Sequence, residues 1–244
     1  MELNNNTILI TGGGSGIGLA LAKAFSLREN TVIVCGRNEK KLEVMQKENP
    51  AIVALPCDIA SNQDQQQLVE YITQKHPTLN ILINNAGIQH NYDLSDTKNH
   101  AELIEEEVNI NFMAHLKLTD RLLPVLMGRR SAAIVNITSA LALVPKKSAP
   151  IYCATKAAMH NFTKGLRYQL EKTSVKVFEI IPALVDTDMT KGRGKGKITP
   201  NTLAAEALRG MQSNKYEIRI GKTKILFALN RFLPLIAERI IRNS

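Results

Sequence analysis

Residues 7–25 read TILITGGGSGIGLALAKAF. Thr7–Thr11 is a short, β-prone apolar run, and the segment after Gly18 has helical composition, so a glycine-rich turn joins a strand directly to a helix. The spacing is TGxxxGxG, carried by Gly12, Gly16 and Gly18, rather than a strict GxGxxG. Glycines let the backbone come close to a pyrophosphate, and a helix N-terminus supplies amide donors and the positive end of a dipole. Gly12, Gly14, Ser15, Gly16, Ile17 and Gly18 are therefore candidate dinucleotide ligands. The plainer reading of the same glycines is a tight turn with close packing. A P-loop is excluded, because Leu19 follows Gly18 where that motif needs Lys and then Ser or Thr.

The same alternation continues along the chain. Strand-like runs are predicted at Thr7–Thr11, Thr31–Cys35, Ile52–Cys57, Leu79–Asn84, Ala132–Thr138, Val175–Ile181 and Glu217–Ile220. Helical stretches fall at about 16–29, 38–48, 61–76, 101–128, 150–172 and 200–213. Short, nearly continuous apolar strands separated by helices specify an α/β fold with a parallel sheet covered on both faces. Right-handed crossovers make that sheet doubly wound, about seven strands in one domain spanning 1–244, with ligands at the carboxyl ends of the strands.

About twenty residues beyond the glycine turn, the second strand ends Val34-Cys35-Gly36-Arg37-Asn38. An acid at this place would bond the adenosine ribose hydroxyls of NAD. Gly36 leaves the position open and Arg37 can reach a 2′-phosphate, so the reading is NADP(H). Glu39 is assigned to the first turn of the next helix, where the dipole favours an acid.

Composition excludes several classes. No apolar run approaches the ~20 residues of a membrane-spanning helix, and nothing resembles a signal peptide. Three cysteines, Cys35, Cys57 and Cys153, form an odd count without metal-ligand spacing, which suits a reduced cytoplasmic protein. His90, His100, His115 and His160 lack paired ligand spacing and read as surface or helix residues, so no metal is expected. The net charge of +9 is lopsided: residues 1–188 carry 19 basic and 19 acidic side chains, residues 189–244 carry 12 and 3. That is not a nucleic-acid footprint; anionic substrates, acidic partners or a membrane surface fit it better.

Tyr152 and Lys156 are spaced i,i+4 near the start of a predicted helix, which stacks phenol and ammonium on one face. A tyrosine near pKa ~10 is a poor base at neutral pH, and lowering it by ~3 takes about 4 kcal/mol. A cation ~4 Å away at an effective dielectric near ~20 supplies that order of energy, and a cationic oxidised nicotinamide would add to it. Ser139, at the end of the fifth strand, can donate to a developing alkoxide, or it can simply close a local turn. Asn84-Asn85-Ala86-Gly87 follows the fourth strand, and Asn109 and Asn111 lie in the next helix.

Together, TGGGSGIG, Asp58, NNAG, Asn111, Ser139, Tyr152, Lys156 and Pro182–Thr187 resemble the short-chain dehydrogenase/reductase family in order and spacing over roughly residues 6–190. The resemblance implies a Rossmann-like fold and reduction of a carbonyl or oxidation of an alcohol. Tyr152 would serve the substrate oxygen, Ser139 hold the carbonyl, Lys156 bind the nicotinamide ribose and Asn111 order a water in the relay. Asp58 resembles the adenine contact, Asn84, Ala86 and Gly87 the segment beside the adenosine ribose, and Pro182, Val185 and Thr187 the nicotinamide contacts. Asn111 is preferred to Asn109 by counting back from Leu116, Leu118 and Leu122. Ala183 departs from the family's usual glycine. NNAGIQ and YCATKAA most resemble small bacterial oxidoreductases associated with teichoic-acid D-alanylation, but the tail beyond Met189 does not, so that role is not carried over.

A non-catalytic redox sensor on the same fold is the competing class, but it has no reason to keep Ser139, Tyr152 and Lys156 together; a membrane-surface or scaffold protein, suggested by the basic tail alone, could coexist with catalysis. A lid is expected at about 184–213, with a mobile loop at Thr190–Lys197 (TKGRGKGK) whose Lys191, Arg193, Lys195 and Lys197 either attract an anion or form a solvated tip. A homodimer or homotetramer is expected through the helices around 108–128 and 150–172, where Ala154, Ala157 and Ala158 permit close approach. The basic tail, about 222–244, sets Leu229, Phe232, Leu233, Ile236 and Ile240 on one helical face, and Pro234 is expected to kink the segment or start a second short helix. That stripe is covered either by protein, its own core or a partner subunit, or by an anionic membrane.

Overall fold

A computed structural model describes residues 1–242. Seven strands, β1 (Thr7–Thr11), β2 (Thr31–Gly36), β3 (Ile52–Pro56), β4 (Leu79–Asn84), β5 (Ala132–Ile137), β6 (Val175–Ile181) and β7 (Glu217–Arg219), form one sheet in the order β3-β2-β1-β4-β5-β6-β7. Every pairing is parallel. The order reverses between β1 and β4, which opens a crevice at their carboxyl ends.

The crossovers are α1 (Gly16–Ser26), α2 (Glu39–Glu48), α3 (Asn62–Lys75), α4 (Ala101–Val108), α5 (Ala114–Met127), α6 (Pro150–Gln169) and α7 (Pro200–Gln212); α8 (Thr223–Phe232) and α9 (Pro234–Ile241) follow β7. Strand side chains alternate between two cores. Ile8, Ile10, Val32, Val34, Ile81 and Ile83 pack with Leu21 and Phe25 of α1 and Leu203 and Leu208 of α7. Leu9, Ile33, Leu82 and Ile134 pack on the other face with Leu68 and Ile72 of α3, Leu118 and Leu122 of α5, and Leu166 of α6. Burial on both faces is why these strands read as continuous apolar runs.

One departure bears on the site. The helix expected over 101–128 is divided by a π turn at Asn109–Met113, which carries Asn111. Of the two outcomes expected at Pro234 the structure shows the second short helix: Leu233 leaves helical geometry (φ −140°, ψ 61°) and Pro234 begins a separate helix.

Candidate active site

An open cleft of about 1060 Å³ runs along the carboxyl ends of the central strands. Its floor is the glycine turn. Gly12 (φ +65°) donates its N–H to Cys35 O at 2.8 Å, and Gly16 has φ +54°; both occupy the left-handed region that favours glycine. A Cβ on Gly18 would stand 2.3 Å from Gly12 O, so Gly18 is needed for helix–turn packing. Thr11 and Asn85 stitch this turn to β4. Thr11 Oγ1 accepts from the N–H groups of Asn85 (2.9 Å) and Ala86 (3.0 Å), while Asn85 Nδ2 donates to Thr11 O (2.9 Å) and Gly12 O (3.1 Å). Ser15 is the N-cap of α1 but makes no side-chain cap bond, and the first turn holds no acid. Ser15, Gly16 and Ile17 line the cleft at this uncapped, electropositive helix end.

One end of the cleft, beyond β2 and β3, is bounded by Gly36, Arg37, Asp58 and Ile59, while Ala86, Gly87 and Ile88 continue from β4 toward the other end. Asn38 caps α2 by accepting from Lys41 N (2.9 Å), which places Glu39 in the first turn as expected. Arg37 is half exposed and its Nη1 lies 3.5 Å from Glu106 Oε1; the other oxygen of Glu106 meets His90 Nε2 at 2.9 Å. Asp58 Oδ1 accepts from Ala60 N, and Asp58 N donates to Asp64, so the loop after β3 is fixed locally.

At the other end, Tyr152, Lys156, Ser139 and Asn111 converge from three elements. Pro150 occupies the first turn of α6, and both Tyr152 and Lys156 are buried on the inner face of that helix. Lys156 Nζ donates to Ile137 O at 3.0 Å and lies 5.7 Å from the centre of the Tyr152 ring. Burial pulls the Lys156 ammonium down to about 8. Burial likewise pushes the Tyr152 phenol up to about 12, against which a hydrogen bond with Ser139 acts to lower it. Desolvation is the dominant influence on the phenol, and the pull downward comes from Ser139 and, more weakly, Arg193 rather than from Lys156. Ser139 Oγ also accepts from Leu141 N (3.1 Å) and closes the turn after β5, which is the plainer of its two readings. Asn111 is fully buried. It exchanges hydrogen bonds with the Ile88 backbone (2.8 and 2.9 Å), and its Nδ2 donates to Thr155 Oγ1 at 3.3 Å.

Other expected residues fall into different places. Pro182 and Thr187 line the cleft, whereas Val185 is buried in the core and pairs with Ile198 in an isolated bridge. Gly14 faces a neighbouring groove with Lys41 and Asp188. The Asn84 side chain points into the interior, donating to Thr119 Oγ1 (3.0 Å) and Asn136 Oδ1 (2.9 Å); Asn85 is the one on the cleft wall. In the Thr190–Lys197 loop, Gly192, Gly194 and Gly196 all have positive φ. Lys197 Nζ folds back onto Asp186 Oδ1 (3.1 Å) and Thr190 O (2.7 Å), and Arg193 reaches Met189 O, so two of the four loop cations are engaged within the loop.

Three buried polar groups were not anticipated. His115 is no surface residue: burial holds its imidazole near 4, so the ring is neutral and Nε2 donates to Ala86 O at 2.7 Å. His160 clamps the fully buried Glu179, Nδ1 lying 2.8 and 2.9 Å from its oxygens, and Glu179 also accepts from Thr138 Oγ1 at 2.6 Å. Glu217 lies near this pair, close enough for the three side chains to be a possible cation site, but Arg219 engages Glu217 at 2.7 Å. Glu107, also fully buried, accepts from His90 N (2.8 Å) and Tyr92 OH (3.0 Å). His115 shares the spacing of Leu118 and Leu122, and Glu179 sits in an apolar strand; those were the signals available.

A family model for short chain dehydrogenases matches residues 6–197. The chain is 41% identical over 224 residues to the uncharacterized oxidoreductase DltE of Bacillus subtilis (strain 168), covering 89% of both chains. A short chain dehydrogenase from Burkholderia cenocepacia in complex with NADP superposes with a TM-score of 0.88 at 22% identity, covering 100% of both chains. A 3-ketoacyl-(acyl-carrier-protein) reductase from Brucella melitensis complexed with NADH gives 0.83 at 25% identity, covering 91% of this chain and 100% of that one.

Proposed function

The chain belongs to the short-chain dehydrogenase family, and from that premise we propose that it is an NADP(H)-dependent oxidoreductase interconverting a carbonyl compound and an alcohol. The observation that carries this reading is the position of Tyr152 and Lys156 in the lining of a cleft whose floor is an uncapped helix N-terminus, with Ser139 bonded to the Tyr152 phenol and Asn111 bonded to Ile88 of the same lining.

The residues present fit a nicotinamide dinucleotide. Ser15, Gly16 and Ile17 offer first-turn amides to its pyrophosphate, and the left-handed glycines allow the close approach. The preference for NADP(H) is supported by Gly36-Arg37 and the lack of an acid at the end of β2, although the similar structures carry NADP in one case and NADH in another. When bound, the dinucleotide supplies or accepts the hydride. Tyr152 gives its proton to the substrate oxygen in the reducing direction, and its burial keeps that proton in place until the oxygen takes up negative charge. Ser139 orients that phenol and the carbonyl. Lys156, fixed to Ile137 O, presents its charge beneath them, and Asn111 holds the Ile88 backbone and the Thr155 hydroxyl at the back of the site.

The outer faces of α5 and α6 support a homodimer or homotetramer. Met127, Ala154 and Tyr168 are exposed there, and a Cβ on Gly165 would meet nothing within 4 Å. Among the described residues no helix is long and apolar enough to cross a membrane. The reading is tested by following NADPH and NADH oxidation by the purified protein across a panel of ketones, aldehydes and β-keto thioesters. Turnover of at least one carbonyl, faster with NADPH, is expected; no turnover of any member with either cofactor contradicts it.

A further inference from the structure

Beyond β7 the chain leaves the sheet through Lys222 and forms α8 and α9, which meet at an elbow at Leu233-Pro234. The elbow is bare. Phe232 is 74% exposed and Leu235 79%, with Leu233 and Ile236 exposed beside them, and Ile225 (69%) and Ile240 extend the apolar surface along both helices. Within α9 the buried side chain is Ala237. Large apolar side chains gathered in this way mark a contact surface.

The charge around them identifies the contact. Residues 222–242 carry Lys222, Lys224, Arg231, Arg239 and Arg242 against one acid, Glu238, whereas residues 1–188 are balanced at 19 basic and 19 acidic. We propose that the α8–α9 elbow docks the protein on an anionic lipid bilayer. Phe232, Leu233, Leu235 and Ile236 enter the boundary between headgroups and acyl chains, and the flanking cations sit among anionic headgroups. Charge selects this occupant over a second copy: an isologous pairing would set each positive elbow against an identical one, and like charges would face each other.

The elbow is rooted on the lid side of the cleft. Lys222 Nζ lies against Gly196 of the lid loop, and Lys224 pairs with Glu206 of α7 at 3.6 Å. At the far end Arg242 O accepts from Lys147 N at 2.9 Å, on the loop that joins Ser139 to Tyr152. A molecule docked through the elbow therefore brings the lid and the Ser139–Tyr152 loop close to the lipid, whatever compound the site turns over.

Co-sedimentation of the full chain with phosphatidylcholine vesicles, with and without phosphatidylglycerol, tests the docking. Binding to the anionic vesicles at low salt, little binding to the neutral ones and release by added salt are expected. Phe232→Ser combined with Leu235→Ser weakens that binding about tenfold or more, with circular dichroism and mass by light scattering unchanged. Arg231→Glu combined with Arg239→Glu releases the protein as well. Failure of the wild type to sediment with anionic vesicles at low salt overturns the proposal. Undiminished binding by either double variant does too, as does a drop in oligomer mass on substituting Phe232 and Leu235, which would make the elbow a subunit contact.

Discussion

Lys156→Met should make the protein more stable while disabling its site. Lys156 is 4% exposed, and its ammonium has one hydrogen bond, to Ile137 O. A fall from 10.5 to about 8 corresponds to on the order of 3 kcal/mol of penalty for keeping the charged form buried at neutral pH. Methionine keeps the length and the packing but leaves the Ile137 carbonyl without that donor, which costs about 1 kcal/mol. The net gain is about 2 kcal/mol, or a Tm rise of about 4–8 °C for a chain of this size. The sign follows from linkage. Between about 8 and 10.5 the unfolded chain holds this proton and the folded chain does not, so wild-type stability climbs with pH across that window. The variant's advantage is therefore full below pH 8 and gone above 10.5. Thermal melts of both proteins at neutral pH and near pH 10, taken as a difference so that other titrating groups cancel, read this directly. A variant less stable at neutral pH, or an advantage that does not shrink as pH rises, would refute the reasoning.

The cofactor end of the cleft gives three further tests. Arg37→Ala should weaken NADPH binding about ten- to hundredfold and leave NADH nearly unchanged, as the loss of a charge-assisted contact of ~1.5–3 kcal/mol requires; equal effects on both in a fluorescence titration would remove Arg37 as the 2′-phosphate ligand. Glu106→Gln removes the carboxylate 3.5 Å from Arg37 and should tighten NADPH up to about fivefold, the range of an exposed ion pair; unchanged affinity would show that the pair does not compete for Arg37. Gly18→Ala would press a methyl group against Gly12 O and Asn85 Nδ2, with a loss of about 1–3 kcal/mol in urea unfolding, whereas Gly14→Ala, facing the movable Leu42 side chain at 3.3 Å, should lose less; the opposite ranking would contradict the packing described for the turn.

The sheet was legible because burial on both faces writes its strands as unbroken apolar runs, and β1, β4 and β6 were placed to the residue. The positions proposed for the site were legible where they sit at a strand end or a helix start, as with Gly12–Gly18, Ser139, Tyr152 and Lys156. They were less legible where residues act through the interior. An i→i+5 bonding pattern leaves no periodic trace, so the π turn that carries Asn111 was read as continuous helix. Asn84 and Asn85 are identical in type and adjacent, and the alternation of the strand decides that the first points inward and the second toward the glycine turn. Glu179 and His160 lie nineteen residues apart and meet only because β6 packs beneath α6. Spacing supplied a cation one turn from Tyr152, but not the burial of the phenol that acts against its ionisation.

The central claim, that Tyr152 protonates the substrate oxygen, is tested most directly by Tyr152→Phe with the best carbonyl substrate and NADPH. The substitution removes one hydroxyl and leaves the ring, Lys156 and the glycine turn in place. The account predicts a fall in kcat of about a hundredfold or more with NADPH affinity unchanged within a few-fold. Retention of most of the wild-type turnover would contradict it and assign the proton to another group.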